Sequence, residues 1–404
     1  MKKRDILFLC QYSYPEFNSS ATLPFDTATY LAQQGKTVSA MCGYPKEYTK
    51  ERHLPLREEI DGVHIRRIRY LQLSRGGKLG RLINYFSFTV SALLHILELR
   101  KYKSVIVYSN PPILPIVTIL ANILFKTDFI FVAYDIYPEV AYASHSVEPG
   151  SLIDSIMHLI NRQLYSRAKM IVALTEEMRQ FILANRSESN ESQVCVIHNW
   201  AHEGRNIPSS NAYQQFGYQK DDFIVSYFRN LGVCQDIGTI CSAMRILKDD
   251  SHIRFFVAGH GSKMKLLQKE SQELPNVTVT DFLVGEKFED ALAISSCCIV
   301  SLEPGLHGTC APSKFYSYLQ SGCPIIAVAE DGSYLSREIQ TENIGYHVRN
   351  EDGSGLAAAI QDLAHDQNRC RVMRENALSL YEREYAKPIA MRKYNDIVSK
   401  VLFS

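Results

Sequence analysis

The chain has 404 residues, 46% hydrophobic and 22% charged, with a formal net charge of +1. That length has room for two domains of ordinary size, and the near-balance of charge argues against a nucleic-acid binder working through clustered Lys and Arg. The ten cysteines include no CxxC pair, and Cys297 and Cys298 stand together in an apolar run. They read as reduced core residues of a cytoplasmic protein, not as metal ligands or a disulfide framework.

The chain opens on MKKRDILFLC, basic and then apolar. Its apolar part is about five residues long, below the roughly 7–15 of a secretion-signal core, so a first buried strand is the better reading. Strand-like runs follow one another at DILFLC (5–10), TVSAMCG (37–43), SVIVYS (104–109), DFIFVAYD (128–135) and MIVALT (170–175). Between the first two, LPFDTATYLAQQG has a helical pattern and ends on Gly35, as a C-cap does. SRGGKLGRLINYFSFTVSALLHILELRKYK (74–103) begins basic and becomes aromatic and apolar. It suits a segment resting on an anionic membrane surface, or a core helix behind a basic loop. PPILPIVTILANILF (111–125) is broken by prolines and closed by Lys126. It falls short of the roughly 18 apolar residues of a membrane span and predicts a buried helix. VAYDIYPEVA places Asp135, Tyr137 and Glu139 just past a buried strand. Carboxylates there can bind a sugar hydroxyl or act on a proton; an Asp cap with Pro138 near the start of a helix fits the same residues.

A polar stretch over 198–222 precedes a second series: FIVSYF (223–228), IRFFVAG (253–259), VTVTDF (277–282), CCIVSL (297–302) and PIIAVA (324–329). The alternation of strands and helices predicts an α/β protein of two Rossmann-like domains facing a cleft, residues 1–204 and 205–404. Ligands in such sheets lie beyond the carboxyl ends of the strands. Two turns there can bring backbone N–H groups to a ligand: YFRNLG, with Arg229, Asn230 and Gly232, and AGHGSKMKLL, with Gly259 and Gly261. Neither is a G-x-G-x-x-G. GLHGTCAPSKFYSYLQSGCPIIAVAE is more pointed. Ser313 suits an N-cap, and Lys314 falls in the first helical turn, where a cation opposes the helix dipole. Such a lysine calls for a compensating anion, such as a diphosphate, or for a pose in water.

Taken in order over essentially the whole chain, these stretches resemble a known family. QYSYPEFNSSATLPFDTATYLAQQGKTVSAMCGYP, SNPP, YDIYPE, LYSRAKMIVALTEEMR, VIHNW, YFRNLGVCQDIGTI and LEPGLHGTCAPSKFYSYLQSGCPIIAV are similar to the retaining GT-B glycosyltransferases of family 4. The branch is the one that serves bacterial capsule, O-antigen and colanic acid synthesis. The resemblance implies a nucleotide-sugar donor, usually UDP-linked, in the second half and an acceptor, a lipid-linked glycan, in the first. It implies that Pro312, Ser313 and Lys314 hold the diphosphate, with Arg229, Asn230 and Gly232 beside the phosphates. Phe282 and Leu283 would lie beside the base, and Asp135 and Glu139 would face the acceptor and the donor sugar.

The chain departs from the family in three ways. Asn230 and Gln235 stand where an Arg and a Lys neutralise the diphosphate, with Arg229 one residue off. Ser317 stands where a carboxylate holds the ribose, and His307 where a partner glutamate does. The last helix is expected to cross back to the N-terminal domain. With no D-x-D motif the expectation is transfer without a metal and without a cofactor, by an enzyme lying peripherally on the inner face of the cell membrane. The alternative is a catalytically degenerate partner or scaffold in a polysaccharide assembly complex. A nucleotide-sugar epimerase of the same two-domain shape is a third reading, against which YDIYPE and PSK count.

Overall fold

Strands covered on both faces lose all contact with water, so they read as unbroken apolar runs rather than as alternating ones. That pattern organises the computed structural model, which describes residues 3–46, 49, 53–73, 78–143, 145–201, 204 and 207–403. These form two compact units: Met1–Asn199 with Gly308–Ala311 and Pro388–Ser404, and Trp200–His307 with Pro312–Lys387.

In the first unit the elements run β1 (Arg4–Cys10), α1 (Ser19–Gln33), β2 (Val38–Gly43), β3 (Arg57–Ile60), β4 (Val63–Ile68), α2 (Lys78–Leu94), a 3-10 turn (Ile96–Lys101) and β5 (Tyr102–Tyr108). They continue with α3 (Pro115–Phe125), β6 (Asp128–Ala133), α4 (Glu139–Ala143), α5 (Leu152–Arg167), β7 (Met170–Ala173), α6 (Glu176–Asn185) and β8 (Val194–Val196). The sheet has the order β3-β4-β2-β1-β5-β6-β7-β8. Its pairs are parallel apart from the β3–β4 hairpin. One face of the central strands (Leu7, Leu9, Val105, Val107, Phe129, Phe131) packs against Phe88 of α2, Val117 of α3 and Leu164 of α5.

In the second unit come α7 (Ala212–Phe216), β9 (Phe223–Asn230), α8 (Gly238–Ile246), β10 (Ile253–His260), α9 (Met264–Ser271), β11 (Val277–Thr280), α10 (Glu286–Ala293) and β12 (Cys297–Ser301). Then follow α11 (Lys314–Gln320), β13 (Ile325–Val328), α12 (Tyr334–Glu342), β14 (Gly345–Val348), α13 (Gly353–His365), α14 (Gln367–Leu380) and a π-helical turn (Tyr381–Tyr385). The sheet order is β11-β10-β9-β12-β13-β14, parallel throughout. Last comes α15 (Lys387–Phe403). It puts Tyr394 and Val398 into buried positions, and Lys36 of the first unit bonds Asn395.

Local chemistry fixes several helix starts. Ser151, Thr175 and Ser333 each accept the N–H three residues on, at 3.3, 3.1 and 3.2 Å, which removes one of the orphan donors of the first turn.

The structure corrects the sequence reading in several places. α3 is not fully buried, because Ile123 and Leu124 face water. β3, β4, β8 and β14 escape the strand pattern: they are short, or carry charges on an exposed side. Of the segment 74–103, residues 78–103 form α2, the 3-10 turn and the start of β5. The basic loop 74–77 lies outside the described residues, as do residues 202, 203, 205 and 206 in the stretch between the two series of strands.

Candidate active site

In the second unit the carboxyl end of the sheet gathers the residues singled out by sequence. β9 extends through Arg229 and Asn230, so these two end the strand and do not lie in its turn. Arg229 adopts φ +77, a left-handed conformation that costs a non-glycine residue about 1–3 kcal/mol. The neighbouring strand passes so closely that a Cβ on Gly259 would lie 1.9 Å from the Arg229 carbonyl oxygen; only glycine fits there.

Lys314, the first residue of α11, does not point into water. It is 4% exposed, its Nζ lies 3.4 Å from the centre of the Tyr227 ring, and it donates to the Asn230 carbonyl at 3.3 Å. Burial, and then the nearby Arg229, hold its pKa well below the ordinary lysine range. Arg229 stacks on Phe288, with Cζ 4.5 Å from the ring centre. Its Nε is buried without a hydrogen-bond partner, and burial lowers its pKa too. Among the described residues neither cation has a carboxylate partner. Two such charges together in low dielectric are disfavoured unless an anion accompanies them.

The surrounding loop is held from below. Gln235, standing where the family has a lysine, accepts the Gly232 N–H at 2.8 Å. Lys263 donates to the Gln235 carbonyl at 2.6 Å and pairs with Glu303. Ser313 takes the N-cap position, but with helical φ and ψ and no side-chain capping bond, so its hydroxyl is not the cap that the sequence suggests. Pro312 accepts the Phe315 N–H at 3.1 Å, and Ser317 is buried on α11. Phe282 and Leu283 follow β11, and the Phe282 ring meets His260 edge-on at 4.8 Å.

In the first unit, Asp135 lies two residues past β6. The Ser109 hydroxyl accepts the N–H groups of Tyr134 and Asp135, both at 3.0 Å. Asp135 also bridges to Cys310, the Ile136 N–H donates to the Thr309 carbonyl at 2.8 Å, and the Gly308 N–H to Glu177 at 3.0 Å. Asp135 is only partly exposed, and burial pushes its carboxyl up to about 6. Glu139 has a different environment. Arg186 Nη2 donates to both of its oxygens at 2.8 Å and to the Tyr137 carbonyl at 3.3 Å. That carbonyl also accepts from Asn161 at 2.6 Å. The Glu139 carboxylate is therefore engaged by an arginine, where the sequence reading has it facing sugar. Glu139 opens α4, but Asp135 lies four residues before it and does not cap it, against the sequence expectation; of the two carboxylates only Glu139 has an ion pair among the described residues.

Sequence reasoning missed Tyr227, Arg186 and Ser109. Ser109 sits in the SNPP stretch and was within reach. Nothing in the sequence marks a strand tyrosine as a lysine platform, or ties Arg186 to a glutamate 47 residues earlier. Gln11 is also new. It is buried at the carboxyl end of β1, and neither polar atom of its amide has a hydrogen-bond partner among the described residues.

Comparison with known proteins agrees with this division. Residues 25–200 match the family described as glycosyl transferase 4-like domain, and residues 224–366 that described as glycosyl transferases group 1. A probable glycosyltransferase, WbjE of Pseudomonas aeruginosa, is 25% identical over 296 residues, 72% of either chain. Among solved structures, the sucrose-phosphate synthase of Thermosynechococcus elongatus aligns over 99% of both chains with 14% identity and a TM-score of 0.75. HepE of Anabaena, in complex with UDP-glucose, aligns over 98% of this chain and 100% of its own, with 13% identity and a TM-score of 0.72. The chain thus carries a glycosyl transferase 4-like domain in its first half and a glycosyl transferases group 1 domain in its second, on the fold called GT-B.

Proposed function

We propose that the protein is a retaining, metal-independent hexosyl- or N-acetylhexosaminyltransferase. It moves a sugar from a UDP-linked donor to a hydroxyl of a lipid-linked glycan in bacterial surface polysaccharide synthesis, of the capsule and O-antigen kind. One observation carries this reading: Lys314 and Arg229 are two cations, close to each other and, among the described residues, without a carboxylate partner, at the carboxyl end of the second sheet. A diphosphate satisfies both. The UDP-glucose bound by HepE supports the choice of a uridine nucleotide.

In this reading Pro312, Ser313 and Ser317 line the donor beside Lys314, with Asn230 and Gly232 along the phosphates and Phe282 and Leu283 near the base. The bond from the anomeric carbon to the diphosphate oxygen breaks as the acceptor oxygen attacks the same face. The electron pair goes to the leaving phosphate, which takes the acceptor proton. Lys314 and Arg229 stabilise the charge that develops there, and they do so more strongly in a low-dielectric site than in water. No side chain is assigned as a covalent nucleophile. Asp135 and the Gln11 amide meet acceptor hydroxyls, while Glu139, held by Arg186, positions the loop that carries Asp135. The enzyme works in the cytoplasm, at the inner face of the cell membrane.

Calorimetric titration with UDP-, GDP- and TDP-sugars, then mass spectrometry of the product on a lipid-linked acceptor, tests this. UDP-sugar binding and a product heavier by one sugar are expected. A second reading, a degenerate partner in an assembly complex, is favoured by one observation: the Gln235 side chain is tied to Gly232 and leaves the diphosphate one cation short of the family pattern. Absence of any nucleotide-sugar binding decides for it.

A further inference from the structure

α2 buries Asn84, Phe88 and Ala92 toward the sheet. An ordinary surface helix turns polar residues outward on the other side. This one presents Leu79, Leu82, Phe86, Val90 and Leu94, one continuous stripe at i, i+3 and i+4 spacing, and Leu94 is 80% exposed. α3, packed beside the 3-10 turn and α2, adds Leu120, Ile123 and Leu124. α5, packed on the other side of α3, adds Leu152, Ile153, Ile156 and Leu159, with Leu152 77% exposed. Three neighbouring helices thus turn large apolar side chains away from their own core, a far larger apolar face than a soluble monomer ordinarily shows water.

The charges on these elements are one-sided. α2 and α3 contain no Asp or Glu, and α5 has only Asp154. Asp154 is buried and tied to Tyr142 and to the Gly150 N–H. Glu98 in the 3-10 turn is paired with Arg66. The exposed charges on these elements are cations: Arg81 in α2, Arg100 and Lys101 in the 3-10 turn, Lys126 at the end of α3, and Arg162 and Arg167 in α5, of which Arg162 is paired with Glu188.

We infer that the outward face of α2, α3 and α5 docks on an anionic lipid bilayer, lying in the interface with its leucines among the acyl chains and its cations at the phosphate level. The inference gives the membrane side of the proposed function a surface, and rests on that function only for its purpose. Helices with one apolar face and basic flanks bind this way, through buried apolar area together with attraction to acidic headgroups, and lysine and arginine stems reach up to the phosphates. Among the described residues no helix is long and apolar enough to cross a membrane, so the contact is lateral. A second copy of the chain is a poorer occupant, since a two-fold contact sets the same patch against itself and so cation against cation. The face also has few hydrogen-bonding groups, whereas protein interfaces carry about one hydrogen bond per 100–200 Å² and favour Tyr, Trp and Arg at their centre.

The test is co-sedimentation of the full chain with vesicles of phosphatidylglycerol and phosphatidylethanolamine, compared with phosphatidylcholine alone. Wild type should pellet with the anionic vesicles, and the double substitution Leu82→Asp with Phe86→Asp should weaken binding by about tenfold or more. Lys126→Glu should reduce the preference for anionic over neutral vesicles while leaving the apolar stripe intact. Circular dichroism and UDP-glucose titration check that each variant is folded. Failure of wild type to pellet with anionic vesicles overturns the inference, as does equal binding by the double variant. So does a wild-type dimer that the double variant splits, because the face would then be a self-contact. A protein that pellets with vesicles but binds no nucleotide sugar leaves this inference standing and removes the transferase reading.

Discussion

The Lys314 ammonium lies 3.4 Å from the centre of the Tyr227 ring, over its face, with the Asn230 carbonyl 3.3 Å away. The ring and the carbonyl orient the cation without neutralising it. Burial disfavours that charge, and an anion bound beside it would favour it again.

Replacing Lys314 by methionine separates stability from function. A buried lone cation exchanged for an apolar chain of similar length should stabilise the fold by about 1–4 kcal/mol, read from urea denaturation. UDP release with the true acceptor should fall by about a hundredfold or more. Turnover that survives this change removes the electrostatic role assigned to Lys314.

The same lysine sets a pH signature. Its folded pKa is below the ordinary value of 10.5, so between those two limits the unfolded chain holds a proton that the folded chain has released. Stability therefore rises with pH across that window. A diphosphate raises the lysine's pKa, so nucleotide binding above the depressed value should take up a proton. Titration in two buffers of different ionisation enthalpy measures that uptake, which should vanish in Lys314→Met.

Arg229→Gly relaxes a left-handed residue and removes a cation in one step. Stability should hold or rise slightly, as strain of about 1–3 kcal/mol is released, while UDP-sugar affinity should drop by about tenfold. Affinity equal to that of wild type, measured by calorimetry, takes Arg229 out of the donor site.

Asp135 titrates near 6 because burial disfavours its charge. Its folded pKa is raised above the unfolded value of 3.8, so it contributes stability below that value which is lost as pH rises through about 6. Asp135→Asn should therefore gain more over wild type at pH 7.5 than at pH 3.5 in thermal melts. Activity should be lost while UDP affinity is kept. Weakened UDP binding would contradict its placement on the acceptor side.

Removing Arg186 leaves the Glu139 carboxylate with neither of its two 2.8 Å contacts. Arg186→Ala should cost about 3–5 kcal/mol, and the paired change with Glu139→Gln should recover part of it in a double-mutant cycle. A loss below about 1 kcal/mol, the worth of an exposed pair, would mean that the loop before α4 is held by other bonds.

The ten apolar runs singled out in the sequence all became strands, because a parallel sheet covered on both faces leaves a signal that needs no alternation. The β3–β4 hairpin was illegible for the opposite reason. REEI is charged, and VHIRRI alternates around an arginine whose burial depends on Glu58 and the Tyr14 carbonyl. At the site, PSK drew attention to Lys314, since a lysine opening a helix conflicts with the dipole. The resolution of that conflict was hidden, because Tyr227 and Arg229 reach it through strand register, which no local pattern carries. Glu139 shows the same limit, as its partner lies on a different helix end.

α15 has a consequence for how the protein comes into being. The first unit needs residues 388–403, which place Tyr394 and Val398 in buried positions and set Asn395 against Lys36, yet they are made after the whole second unit. A chain emerging from the ribosome therefore has every residue of the second unit before the last helix of the first. Order of synthesis and order of completion run opposite ways, and the unit begun first is the last whose residues are all made.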